Sequence, residues 1–431
     1  MQSSIQTKKW SITKKIWMLF AGTYFFILML DFSSSDEIFP HFVYWLLQPY
    51  TNFWDWIVPW TGKHILHLNY PITVKPNGSG DTTYNYVLEL LWIVFAFIIA
   101  IVWALADRKR RSYNQLFYWI RIVVRYYLAF VLFSYGFVKI IKLQFPFPDL
   151  FRLTETYGDS SPMGLAWTFI GYSKGYNIFI GSAEVLAGVF LFFKRTTLVG
   201  ALIAMTVMMN VAAMNFAYDI PVKIFSINLV IIATWIAWYD IERLINFFIL
   251  NKTTAPAKIA MPLQTKWKRI LQRSLKVLAI LFAIYSTLWS SIGVINKYGD
   301  SAPKPSLYGI YDIETFIKKG DTIPPLATDT VRWKRMIISY PGYIRIATMP
   351  DSIKWFKINI DTVKRTAALI YSKDSTQIYS FNYSEPDKQH LFFNGNIKGD
   401  SVIITMKRFD LNNFNLIKRG YHWISEYPYN R

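Results

Sequence analysis

The chain contains no cysteine. That absence excludes a disulfide scaffold, thiolate metal sites, a dithiol relay and a cysteine nucleophile. Acidic residues are scarce beside basic ones, 27 against 47, and the formal net charge is +20. No phosphate-binding glycine loop, G-x-S-x-G elbow or H-E-x-x-H pair occurs. The usual motifs of phosphoryl transfer, serine hydrolysis and zinc hydrolysis are therefore missing. His64 and His67 stand three apart, but no acidic partner lies near them at ligand spacing, so no metal centre is expected. Met205, Met208, Met209 and Met214 read as soft packing rather than a cofactor box.

What is present is apolar. The 431 residues are 53% hydrophobic and 18% aromatic, with a mean hydropathy of +0.22. This is the composition of a membrane protein with room for one soluble domain. The positive charge does not call for a nucleic acid. Lys and Arg border apolar runs on alternate sides, which is the positive-inside pattern.

Seven runs long enough to span follow from hydropathy: 16–30, 84–106, 115–141, two runs ending at 193 and 217, 222–238 and 277–295. Lys8, Lys9, Lys14 and Lys15 place the N-terminus in the cytoplasm. No small-residue cleavage site follows the first run, which reads as a retained signal anchor. The expected architecture is a mainly α membrane protein: a seven-helix transmembrane bundle with a C-terminal antiparallel β-barrel or sandwich. Its parts are the N-terminal helices over 1–114, a four-helix core over 115–240, a basic cytoplasmic segment over 241–276, a seventh helix over 277–296 and a periplasmic β domain over 297–431. The β domain is read from period-two alternation with turns such as Asn394-Gly395 and Lys398-Gly399-Asp400. Its aromatic tail, 418–431, is expected to plug or border it. Residues 31–80 carry Trp45, Trp54, Trp56 and Trp60, broken by Pro40, Pro49 and Pro59. They read as short interfacial helices or as a lid packed on the bundle. Residues 142–174 read as an outer loop.

Polar residues inside apolar runs are costly and mark candidate sites. Glu184 lies within the fourth run, Asn210 and Asn215 in the fifth, and Asp219 and Lys223 at its exit. The third run carries Arg121, Arg125 and Lys139; the second contains Glu89. Counted from opposite faces, Glu184 and Arg125 both reach mid-depth, so a buried Glu184–Arg125 pair is expected, either as the floor of a cavity or as a bundle-locking salt bridge. Lys139, Asp219 and Lys223 are expected to line one outer mouth, with Asp81 and Asp159 on its rim. The competing reading makes Asp219 a turn residue and Lys223 a snorkelling one, and gives Asp81 to the start of the helix that follows it.

Several runs together resemble the DoxX/DoxD-like membrane family. They are Tyr135-Gly136-Phe137-Val138-Lys139, Gly181-Ser182-Ala183-Glu184 through Gly188, Lys194-Arg195-Thr196 and the small-residue helix that follows. Residues 78–83, 157–163, 210–223 and 419–431 extend the resemblance to the long Bacteroidota type. It is centred on 115–240. It implies an inner-membrane protein that binds a quinone or lipid as a component of a redox system, with quinone the cofactor it brings. Partners expected are the lipid bilayer and a membrane or periplasmic protein. The alternative expectation is a non-enzymatic membrane protein whose β domain binds a partner or an apolar ligand.

Overall fold

A computed structural model describes residues 9–31, 41–77, 79–254 and 265–430. Lys8, Pro40 and Gly78 lie outside the described residues. The chain divides into two compact units: Met1–Gln144 with Lys174–Ile295, and Phe145–Ser173 with Asn296–Arg431.

The first unit is helical. It contains α1 (Ile12–Met29), α2 (His41–His64), α3 (Thr83–Ala106) and α4 (Asn114–Ile140). After residues 145–173, which belong to the other unit, come α7 (Lys174–Phe192), α8 (Thr197–Ala217), α9 (Lys223–Trp238), α10 (Ile241–Leu244) and α11 (Lys266–Ile295). Six of these, α1, α3, α4, α7, α8 and α11, are long and apolar enough to cross a membrane. A seventh span exists if α9 and Ile241–Ile249, bent by 74° at the break, are one crossing. The chain is thus a multi-pass membrane protein by its helices.

Two elements differ from expectation. Residues 41–64 form a single helix despite Pro49 and Pro59 inside it. α2 leans on α3: Trp54 meets Trp92 and Phe95 at ring distances of 6.3 and 5.5 Å, and the Tyr84 hydroxyl donates to Asp55 at 2.6 Å. Tertiary packing here overrides the helix-breaking tendency of proline. The basic stretch before residue 277 is not separate from the last helix, because α11 already begins at Lys266.

α4 and α7 run against each other with almost no gap. A Cβ on Gly136 would lie 2.5 Å from the Gly181 carbonyl oxygen, and one on Gly181 would meet the Gly136 oxygen at the same distance. Further along, a Cβ on Gly188 would sit 2.8 Å from the Ala129 oxygen. Small residues let membrane helices approach to backbone contact, where dispersion replaces the missing hydrophobic drive. These contacts also set the register, with Gly136 opposite 181–185 and Ala129 opposite Gly188.

The second unit is a closed antiparallel barrel. Its strands are β1 (Gly309–Lys318), β2 (Asp321–Thr322), β3 (Trp333–Tyr340), β4 (Tyr343–Thr348), β5 (Ile353–Asp361), β6 (Thr366–Tyr371), β7 (Ile378–Ser384), β8 (His390–Ile397) and β9 (Asp400–Arg408). β1 and β3 through β9 pair in sequence order, β9 returns to β1, and short β2 is a spur on β1. Closure removes the exposed edges that a sandwich would have to protect. Alternation fills the interior: Tyr379, Phe381 and Tyr383 on β7 are buried, while Ser380 and Asn382 between them are exposed. Phe316, Met336, Phe393 and Ile404 complete a packed core. On β8, a Cβ at Gly395 would sit 2.0 Å from the Ser380 oxygen, so only glycine fits there.

Residues 145–173 are not a free loop. They form α5 (Leu150–Leu153), a 3₁₀ turn (Tyr157–Asp159) and α6 (Pro162–Tyr172). Leu150 covers the outward side chains Ile310 and Ile337 of the barrel. Its N–H donates to Ser339 Oγ at 3.1 Å, and Tyr340 donates to Asp149 at 2.6 Å. The tail also departs from expectation. Tyr421, Trp423 and Tyr427 are more than four-fifths exposed, because the strands' own side chains already fill the barrel and leave nothing to plug. The last helix, α12 (Asn415–Lys418), precedes it.

Candidate functional site

All the polar groups singled out inside apolar runs belong to the helical unit, but they sort into separate clusters. The first is Lys139 with Glu184. The ammonium donates to both carboxylate oxygens at 2.7 and 2.9 Å, and the two side chains are 8% and 1% exposed. The Gly136–Gly181 contact makes this possible. With the two backbones touching, a lysine stem one turn beyond Gly136 reaches the glutamate one turn from Gly181. A buried charge of either sign persists only with such a partner.

This corrects the expected Glu184–Arg125 pair. Gly136 faces the turn holding Glu184, and Arg125 lies 11 residues back along α4, about 16 Å away at 1.5 Å per residue. Arg125 instead donates to Thr197 Oγ1 at 3.1 Å and stacks on Tyr126 with its guanidinium 5.1 Å from the ring centre. It is 6% exposed, and its Nε has no partner among the described residues. Depth counted from each helix end misjudged the pair because it ignored the register set by the glycines.

The expected outer mouth of Lys139, Asp219 and Lys223 is not formed, since Lys139 is committed to Glu184. Lys223 binds Asp219 at 2.9 Å and lies 3.9 Å from Asp81. Asp219 is one turn before it, at positive φ and with its side chain 86% exposed. Asp81 has a role that local reading assigned to the wrong helix. Thr82 caps α3 through a capping box with Asn85. Asp81 accepts instead from the N–H groups of Lys223 and Ile224, at 2.6 and 3.0 Å, and so caps α9. Asn215 is buried and donates to the Val222 oxygen at 3.3 Å, closing the same turn. Asn210 is exposed and joins no cluster among the described residues. Asp159 belongs to the barrel unit, where Thr156 donates to it.

Two clusters were missed. Tyr24 on α1, Glu89 on α3 and Asn228 on α9 converge: the tyrosine hydroxyl contacts Glu89 and lies 2.5 Å from Asn228 Oδ1, and Asn228 Nδ2 lies 3.4 Å from both Glu89 oxygens. A lone Glu in an otherwise uncharged span was the available signal. At the opposite end of the unit, Asp240 holds Arg121 at 3.2 Å and Arg243 at 2.7 Å, with Arg121 stacked 3.9 Å over Tyr239.

A cleft of about 1260 Å³ lies between α4, the end of α7 with its Lys194-Arg195 turn, and α11. Its wall is aromatic and aliphatic, and Arg125 lines it from α4. A second cleft of about 770 Å³ shares Arg125 and holds Arg121 and Asp240. Among the described residues no His, Asp and Glu converge in a group able to hold a metal ion.

Helices and strands together define a class: a multi-pass membrane protein carrying a closed eight-stranded β-barrel. Comparison with known proteins adds a relative. Over 126 residues, 29% of this chain, it is 35% identical to the uncharacterized protein YwoB of Bacillus subtilis (strain 168), and the match spans 79% of YwoB. The chain belongs to the family of YwoB through that stretch. No family model and no solved structure matches it.

Proposed function

We propose that the protein is a DoxX-like inner-membrane component that binds an amphiphile, a quinone or a lipid, in the helical unit. The observation that carries this reading is the cleft of about 1260 Å³ with apolar walls and a buried guanidinium in its lining. Ligand sites are mostly apolar with few placed polar groups, and Arg125 Nε is a donor without a partner among the described residues. Lys139 and Asn210 drop out as head-group donors, the first occupied by Glu184 and the second exposed. The cleft engages α4, α7 and α11, so the binding region extends beyond the four-helix core of 115–240. A place in a redox system, with quinone as cofactor, is the finer form of this reading. It rests on the resemblance carried by Gly136, Lys139, Gly181 and Glu184. Purification in mild detergent followed by lipid extraction tests it. Retained quinone or lipid that is lost in Arg125→Ala is the expected result; an empty protein in native extracts would refute it.

The same reading puts the N-terminus in the cytoplasm and the barrel in the periplasm, through seven spans with α9 and its bent continuation as the sixth. Reporter fusions at Lys252 and Asp374 should report opposite compartments. Lys252 should report the cytoplasm and Asp374 the periplasm; with six spans the two reports would be exchanged, because α11 separates the sites in either count.

A second reading, partner binding through the barrel unit, is favoured by the tail. Tyr421, Trp423, Ile424 and Tyr427 are exposed at 81, 87, 74 and 84%. Exposed aromatics of this kind mark interaction surfaces. Removing residues 419–431 should then abolish a cross-linked partner while the quinone or lipid content stays unchanged.

A further inference from the structure

We propose that the cleft between α4, α7 and α11 is a binding site for an anionic phospholipid, with the phosphate at a basic rim and the acyl chains along the aromatic wall. This rests on the amphiphile reading above and names the ligand class.

Charge is the first argument. Arg125, Lys194, Arg195, Lys268, Arg273 and Lys276 all line the cleft, and among the described residues no Asp or Glu does. Neither α4 nor α11 contains an acidic residue anywhere along its length. Within this cleft the cations therefore face one another with no carboxylate of the described residues between them; Asp240, in the adjoining cleft, is held by Arg121 and Arg243. Mutual repulsion is relieved by an anion, and basic pockets between membrane helices recognise anionic head groups in this way.

Geometry is the second. Gln272, Arg273 and Lys276 fall at i, i+1 and i+4 on α11 and so form a stripe along one side of the helix. Gln272 Nε2 and Lys194 Nζ both reach the Tyr118 hydroxyl, at 3.3 and 3.1 Å, so the rim is tied across the cleft. Lys276 lies 4.0 Å over the Phe193 ring and is held there rather than extended into solvent. At the α4 wall Arg125 lines the cleft, and its buried Nε has no partner among the described residues.

Size is the third. A volume of about 1260 Å³ exceeds the roughly 300–1,000 Å³ usual for small-molecule pockets. The wall that continues from the basic rim, with Tyr126, Phe130 and Phe282, suits acyl chains rather than a compact soluble anion.

The test uses the full chain in nanodiscs, first of phosphatidylcholine alone and then with phosphatidylglycerol added. Binding is read by native mass spectrometry and by the shift in Tm. Phosphatidylglycerol should be retained and should raise the Tm. Lys194→Gln with Lys276→Gln should weaken retention about thirty-fold, as two basic residues at a membrane surface are removed. Lys194→Arg with Lys276→Arg keeps the charge and should keep the lipid, which separates loss of binding from loss of folding. Equal retention of phosphatidylcholine, or protection by inorganic phosphate alone, would overturn the proposal. Quinone retained with no preference for the anionic lipid would also overturn it while leaving the amphiphile reading standing. Retention of neither would end both.

Discussion

The barrel and the helical unit solve the same problem of polar groups in opposite ways. In the barrel, charge lies mostly on the outside, and the buried Arg332 and Arg345 are held by backbone oxygens. Lys334 with Asp351 and Arg335 with Asp312 pair at 2.5 and 2.6 Å where water still reaches them, and the interior is Phe, Ile, Tyr and Met. In the helical unit the exposed surface is Leu, Ile, Val and Trp, and the charges turn inward to one another. Water supplies a partner for most polar groups on the barrel. Acyl chains supply none, so a charge buried between helices at their depth needs a partner fixed by helix register. The lesson is that a barrel residue's role follows from its own strand, whereas a helix residue's role depends on which neighbour the packing brings.

The sharpest way to break that comparison is to remove one member of the Lys139–Glu184 pair. Lys139→Met should destabilise the helical unit by about 3–5 kcal/mol, because a carboxylate is left buried and unpaired. Lys139→Met with Glu184→Leu should recover most of that loss, since apolar replacement of a whole buried pair is often neutral. Thermal unfolding in detergent measures both. A double variant as unstable as the single one would show that the pair is not a unit. In the barrel, Phe393→Ala, at a fully buried position, should cost a similar ~3–5 kcal/mol through the cavity it opens. Here no distant second change should restore stability, because the loss is packing and not an unpaired charge.

This contrast also explains how much the sequence could tell. The strands β3 to β9 were legible from period-two alternation, because each strand carries its own inside and outside, whereas β1, which closes the barrel on β9, was not read as one. Six of the seven expected spans were legible from length and apolarity; the sixth, 222–238, is the first limb of a bent pair. The partners were not. Glu184 was visible as a charge in a span, but its partner depended on Gly136 and Gly181 setting the α4–α7 register. Glu89 was visible too, yet Tyr24 and Asn228 come from helices 65 and 139 residues away. The docking of 145–173 on the barrel was hidden for the same reason, as Asp149 and Tyr340 are 191 residues apart. Long-range pairing leaves no local period to read.

A smaller effect sharpens the same point at a helix end. Asp81→Ala should destabilise by about 1 kcal/mol, the usual value of a lost cap. The damage should appear in α9, which Asp81 serves, and not in α3, which follows it in the chain. Hydrogen exchange at the Lys223 and Ile224 amides should rise, while those of the first turn of α3 stay protected. Thr82→Ala should give the reverse pattern. Faster exchange in α3 after Asp81→Ala would return Asp81 to the local role that its position in the sequence implies.

The smallest expected effect lies in the barrel and concerns pH. Asp329 accepts from the N–H groups of Arg332 and Val331 at 2.9 and 2.7 Å, and these bonds hold its carboxyl below the usual aspartate value. The bonds shape the turn that delivers Arg332 to three backbone oxygens, those of Ile323, Trp333 and Glu314. A carboxyl whose folded pKa is depressed binds its proton more weakly in the folded state. Its contribution is therefore fully present above the unfolded value and is lost as pH falls through the folded one. The window opens below about pH 4. Asp329 is mostly solvated, so its share of the slope is modest. Asp374, Asp387 and Asp400 are shifted the same way and contribute to the same acid limb, so the limb alone does not identify Asp329. A difference between variants does. Asp329→Asn, which retains an acceptor but cannot ionise, should flatten the acid limb of barrel unfolding and leave stability near neutral pH only slightly lower. Asp374→Asn should flatten that limb as well, but without loosening Arg332. If Asp329→Asn leaves the acid limb unchanged, the turn is held by the arginine's own hydrogen bonds and the carboxylate is incidental.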